Sequence, residues 1–371
     1  MRNLRPLPLL VLLITAVIAG CSDSVDPTEP LEIPAAYPAT DFAANTAVER
    51  EIYADYAALV SAMAAGNTGA NVSGDQLVVL LSELAPSTTT FFATVAPMYA
   101  EQLDLASGGT YDPRQLPAQN GEGGVYENRL FDETGLEVKE VIEKGLFAAL
   151  MYNHAATILS KSSVTAADID RVVAIYGATP AFRNSDQSED QADQYCAKYA
   201  ARRDKNDGAG PYTSFRDAAK KARAAASAGP AYQNELTDGI SGMRRHWERS
   251  QMGTVINYLY AASQKWSVTS PTNADIASGM HAYGEAIGFL MGWKGIPANS
   301  KIITDAKIDE LLGLLRVSTT SPSSCYQFWQ NPASTLGDLQ TVMSQLQIIY
   351  GFSDAEMIDF RTNWVSAQGR R

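Results

Sequence analysis

The amino-acid sequence predicts an all-α protein, a large multi-helix bundle of antiparallel helix pairs. Three observations carry this. Apolar residues recur at helical spacing in nearly every segment after residue 45. Runs that alternate apolar and polar residues, as a half-buried strand does, are few. Short turns separate the periodic segments, which suits neighbours packed antiparallel. No internal repeat of fixed period is legible. One large helical domain is therefore expected over residues 42–371, with a soft division near 178–188.

Taken in order, Thr46 and Glu49 have the spacing of a capping box ahead of a helix that runs to about residue 65. Helices at 73–84 and 89–105 follow, separated by Pro86. Residues 108–134 are rich in Gly, Pro and Asn and read as loop, with a short hairpin near 125–131. A long amphipathic helix is expected at 134–160. The next, at 165–176, is capped by Thr165 and stopped by Gly177 and Pro180. Asp168 and Asp170, near Arg171, read as a solvated helix start that suits the helix dipole. Further helices are expected at 187–204, 213–228, 231–266, 273–293, 305–315, 334–350 and 353–364.

The amino terminus reads as a lipoprotein leader. Arg2 and Arg5 precede a short uncharged apolar run, and Ile18-Ala19-Gly20-Cys21 places small residues before a cysteine. The run is too short to span a bilayer. The expectation is a signal peptide at 1–20, an acylated Cys21 that anchors the chain to one membrane leaflet, and a Pro- and acid-rich tether at 21–41. Ser22, in place of Asp, points to the outer membrane of a bacterial envelope. The leader holds two arginines and no acid, so its loss moves the net charge from −12 to −14. Such an acidic chain argues against nucleic acid as a partner.

Two further cysteines remain, Cys196 and Cys325. In an oxidising envelope they could pair, in a loop worth about 4–5 kcal/mol by chain entropy, or stand as unrelated buried thiols.

The chain has only three histidines, His154, His246 and His281. His281 has a carboxylate one helical turn on, Glu285, so the two stack on one helix face and can ligate one metal ion. The plainer reading is a buried histidine held by its neighbour, with the carboxylate raising its pKa. His246 lies about 20 Å from the level of His281 if both helices are straight, so it is an unsuitable partner. Gly284, Gly288 and Gly292 recur on the same segment and imply close approach of a second helix. The 134–160 segment, with Gly145, Ala148 and Ala149, is the expected partner. No nucleophile elbow, P-loop, HExxH or CxxC motif is present, and nothing points to catalysis.

Three runs, FDETGLEVKEVIEKGLFAALMYNHA, RHWERSQMGTVINYL and MHAYGEAIGFLMGW, together resemble bacterial lipoproteins of the domain of unknown function 4856 family. The most specific part is HAxxExxGF, through His281, Ala282, Glu285, Gly288 and Phe289. That family is distantly similar to the imelysin-like proteins of metal uptake, with their GxHxxE motif. Here Gly279-x-His281 is kept and the glutamate falls one residue later. An HWDEAFGYF-like segment of the family has no histidine at the corresponding place, Asp170 to Gly177. The resemblance implies a divalent metal, iron or a metal complex as ligand, with His281 and Glu285 holding it. The alternative is a non-catalytic interaction or scaffold protein of the envelope.

Overall fold

A computed structural model describes residues 29–318 and 323–371. The leader 1–20 and Cys21 lie outside the described residues. The folded unit, Leu31–Arg371, is mostly helical: α1 (Phe42–Asn45), α2 (Ala47–Ala64), α3 (Gly74–Leu84), α4 (Thr90–Ala106), the hairpin β1 (Gly123–Tyr126) and β2 (Arg129–Asp132), α5 (Val138–Leu146), α6 (Asn153–Ile158), α7 (Ala166–Tyr176), α8 (Tyr195–Arg203), α9 (Pro211–Ala228), α10 (Gln233–Trp266), α11 (Asn273–Met291), α12 (Asp305–Leu314), α13 (Gln327–Gln330), α14 (Pro332–Tyr350), α15 (Asp354–Asp359) and α16 (Trp364–Gln368). Among the described residues no helix is long and apolar enough to cross a membrane.

The helix starts follow their caps. The Thr165, Thr272 and Ser353 hydroxyls accept from the third helical N–H of α7, α11 and α15, and an acid there bonds back. Thr46 does not act this way. Its hydroxyl donates to Phe42 O, and Glu49 is fully buried between His154 and Arg171. The hairpin turns at Glu127 and Asn128, both with positive φ, as a two-residue type I′ turn requires.

The centre is a stack of α9, α10, α11 and α5 in which α11 is buried along almost its whole length. The glycines of α11 explain the last contact. A Cβ at Gly288 would lie 2.7 Å from Glu140 O, and one at Gly292 would lie 2.2 Å from Gly145 O. Only bare backbone lets the two helices come this close. The expected glycine face is therefore real, and its partner is α5. Away from this seam the core is aromatic. Tyr176 stacks on Phe215 at 3.8 Å, and Tyr152 lies 4.5 Å from Trp293.

Several expectations are corrected. The 134–160 helix starts at Val138, because the Asp132 carboxylate accepts from Thr134 N and Leu136 N and holds those residues in a turn. Between Leu146 and Asn153 its wall widens into a π-helical stretch, Phe147–Tyr152. The segment 187–194 is not helical; α8 begins at Tyr195. Phe182, Asn184, Gln191 and Tyr195 all have positive φ, and Asp193 ties the loop down by accepting from Ser185 N and Tyr212 Oη. The 353–364 helix breaks after Asp359, where Phe360 O accepts from Arg203 and Asn257. Asp170 is not solvated. It is fully buried and accepts from Tyr37, Asn45 and Arg223. Tyr37, in the expected tether, thus belongs to the core.

Cys196 and Cys325 are both free and buried. Cys196 packs against Phe147 O, Met151 and Gln251, while Cys325 donates to Thr134 O. Those surroundings share no residue, so the disulfide alternative is overturned in favour of separate thiols. Burial raises both thiol pKa values, which keeps them protonated and inert.

Candidate metal centre

The glycine seam sets α11 so tightly on α5 that polar side chains of the two helices interleave. His281 projects from α11 toward the first turns of α5. Its Nδ1 is 2.8 Å from Glu137 Oε2 and 3.9 Å from Glu140 Oε1, and its Nε2 is 3.5 Å from Glu285 Oε2. Glu137, Glu140 and His281 each offer one ligand atom, and the three atoms lie within 4.8 Å of one another. His281 and Glu285 are thus neighbours, but the hydrogen-bond partner of His281 is Glu137, 144 residues away in sequence.

Behind the histidine the charges continue. Lys144 Nζ is 3.1 Å from Glu140, 3.6 Å from Glu285 and in contact with Glu143. Lys139 bridges Glu140 at 2.7 Å and Glu143 at 2.5 Å, and Arg129 of β2 stands 3.7 Å from Glu137. Tyr199 of α8 donates to Glu285 at 3.4 Å. Four carboxylates therefore face three permanent side-chain cations, and one negative charge is left for the imidazolium or for a bound cation. The carboxylates of Glu137, Glu140 and Glu285 are almost wholly buried. The imidazole, 29% exposed, is the open side of the site.

Burial raises the Glu137 and Glu285 carboxyls above the ordinary value, and their cationic neighbours only partly reverse this. Glu140 is also penalised by burial, yet Lys144, Lys139 and His281 hold it well below the usual carboxylate range. For His281, burial works to lower the pKa. The Glu137 hydrogen bond and the charges of Glu137, Glu285 and Glu140 together outweigh it, so the value is raised.

A pH dependence follows. A histidine with a raised folded pKa adds stability that is complete below about 6.5 and fades as pH climbs through the folded value. The raised Glu137 carboxyl acts with the same sign, since the native state keeps its proton longer. With chelator present, the wild type is expected to lose its advantage over His281→Gln as pH rises past the ordinary histidine value of about 6.5 and through the raised folded value. Denaturant melts across that range measure it; a constant difference between the two proteins would count against the imidazolium–carboxylate pair.

The other histidines stand elsewhere. His154 Nε2 is 2.8 Å from Glu49, its Nδ1 is 3.3 Å from Ser87 Oγ, and Arg171 shares the same Glu49 oxygen. His246 lines a separate cleft with Arg203 and Arg249, where burial and then Arg249 and Arg245 push its pKa down to about 4. Glu137, Glu140 and Lys144 were not singled out from sequence. The signal was there: Glu137, Glu140 and Glu143 recur every three residues on the helix already expected to meet the glycine face.

Comparison with family models, curated proteins and solved structures returns no match to this chain.

Proposed function

We propose that the chain is an envelope lipoprotein, anchored through Cys21, whose α5–α11 seam binds a divalent metal ion. The observation that carries the metal reading is the convergence of Glu137, Glu140 and His281 in a cluster one positive charge short of balance. Two carboxylates and one imidazole suit zinc, manganese or iron(II) in place of a thiolate-seeking ion. A shift of about 1 Å would bring these ligand atoms to the spacing of a common ion, with Glu285 behind them. The half-open imidazole side leaves coordination positions for water or for a ligand that arrives with the metal. The resemblance to imelysin-like proteins supports the same reading through Gly279 and His281. Nothing in the cluster supplies a nucleophile, and the role proposed is capture, without catalysis.

Titration calorimetry with zinc, manganese and anaerobic iron(II) tests this. The expected result is one ion per chain, with protons released because ligation needs the neutral ring, and affinity that rises with pH. The Glu137→Gln, His281→Ala double variant should bind at least roughly tenfold more weakly. Equal weak binding by wild type and variant would sink the proposal.

A further inference from the structure

A second cleft adjoins the α5–α11 seam; it shares Glu143 and Tyr199 with the surrounding polar network but is lined by none of Glu137, Glu140, His281 or Glu285. A cleft of about 580 Å³ opens where α2, the π-helical stretch and α8 meet the irregular loop before Tyr195. Tyr56, Phe147, Tyr195 and Tyr199 supply its apolar walls. Tyr195 stacks one face on Tyr53 at 4.0 Å and makes T-shaped contacts with Tyr56 and Phe147. It is also held at φ 48°, a left-handed conformation that a bulky side chain rarely takes. Strain of this kind persists where the surroundings over-determine it, and binding sites are where it gathers.

Two polar groups in the wall lack partners. Lys198 lines the cleft half-buried, and its ammonium makes no hydrogen bond or ion pair among the described residues, although Asp186 and Glu143 attract it from beyond that reach. Each nearby acid already has its own partner. Asp186 pairs with Arg202 at 2.6 Å, Glu143 with Lys139 and Lys144, and Asp193 with Tyr212 and Ser185 N. The lysine charge is thus left for something that enters the cleft. Burial, with Arg202 adding to it, lowers the pKa of Lys198, and an arriving anion would relieve both effects. The second group is Asp186 Oδ1, a buried acceptor with no donor, on a side chain only 4% exposed. A buried oxygen left unsatisfied is a vacancy for a donor.

We propose that this cleft binds a small aromatic acid that carries a hydroxyl: the ring lies along Tyr195 and Phe147, the carboxylate pairs with Lys198, and the hydroxyl donates to Asp186 Oδ1. The volume falls in the range of small-molecule sites, and aromatic walls with few polar groups are their usual lining. The proposal goes beyond metal capture and uses none of the metal ligands.

Calorimetry on the full chain, in chelator-treated buffer, with para-hydroxybenzoate as probe, tests it. Saturable binding is expected, at least tenfold weaker for phenol, which lacks the anion, and for cyclohexanecarboxylate, which lacks the ring. Benzoate should fall between, because it leaves Asp186 unsatisfied. Lys198→Met should weaken the probe at least tenfold, and Lys198→Arg should restore much of it. Lys198 has no partner to lose, so these variants should keep wild-type melting curves. The His281→Ala variant should bind the probe as wild type does. No saturable binding, equal binding by Lys198→Met, equal binding of cyclohexanecarboxylate, full competition by inorganic phosphate, or loss in His281→Ala would each overturn the proposal.

Discussion

Gly288→Leu is expected to lower stability by about 3 kcal/mol or more, with a fall in melting temperature on the order of 5 °C. A Cβ at this position meets Glu140 O at 2.7 Å, Lys144 Cβ at 2.8 Å and Val141 O at 3.0 Å. Two of these are backbone atoms of α5, which cannot rotate away as a side-chain tip can. The larger side chain must push α5 off α11, and that displacement opens the core and spreads Glu137 and Glu140 from His281. Gly337, on α14, is the control. A Cβ there meets nothing within 4 Å, so Gly337→Ala should be neutral or stabilising by up to about 1 kcal/mol, the usual difference in helix propensity. Urea melts separate the two outcomes. An unchanged midpoint for Gly288→Leu would refute the close seam.

Lys144→Met is expected to cost about 3–5 kcal/mol at neutral pH, the usual penalty when one member of a buried ionic group is removed. Lys144 is 5% exposed and serves Glu140, Glu143 and Glu285 at once. Its loss leaves carboxylates in a dry seam with Lys139 as the nearest remaining cation. The sign with pH is fixed by Glu140. Its folded pKa is depressed, first among the favourable causes by Lys144, so its contribution is present above the ordinary carboxylate pKa of about 4.3 and is lost as pH falls through the folded value. The wild type and the variant should therefore converge in acid. A variant as stable as wild type at neutral pH would show that the lysine only fills space. The same variant adds negative charge to the candidate metal centre, so a cation should bind it more tightly, relative to its stability, than it binds wild type.

The candidate site was half legible. His281 and Glu285 were visible because one helical turn separates them, and a helix places such residues together wherever it packs. Glu137 was not, because nothing within 279–293 reports which helix lies opposite. The glycines came closest. Their spacing said that another backbone touches α11, and a short list of small-residue helices could supply it. Combining that with the acidic spacing of 137, 140 and 143 would have found the cluster. Thr46 and Glu49 show the opposite failure. The spacing of a capping box was present, yet His154 and Arg171 claim the carboxylate of the buried Glu49. Long-range pairing of a fully buried carboxylate outweighs a cap worth about 1 kcal/mol.

The all-α class, the capped start of α7, the hairpin near residue 125 and the glycine face of α11 were determined by the sequence alone. Each depends on interactions within a few residues, where periodicity and capping chemistry act directly. The tertiary structure alone decided the hydrogen-bond partner of His281, the separation of Cys196 from Cys325, the burial of Tyr37 on Asp170, and the strained loop that ends at Tyr195. These depend on which elements lie side by side. Once apolar burial has chosen those neighbours, each buried carboxylate must take whatever donor the packing brings within reach, because an unpaired charge in that interior costs more than any local preference.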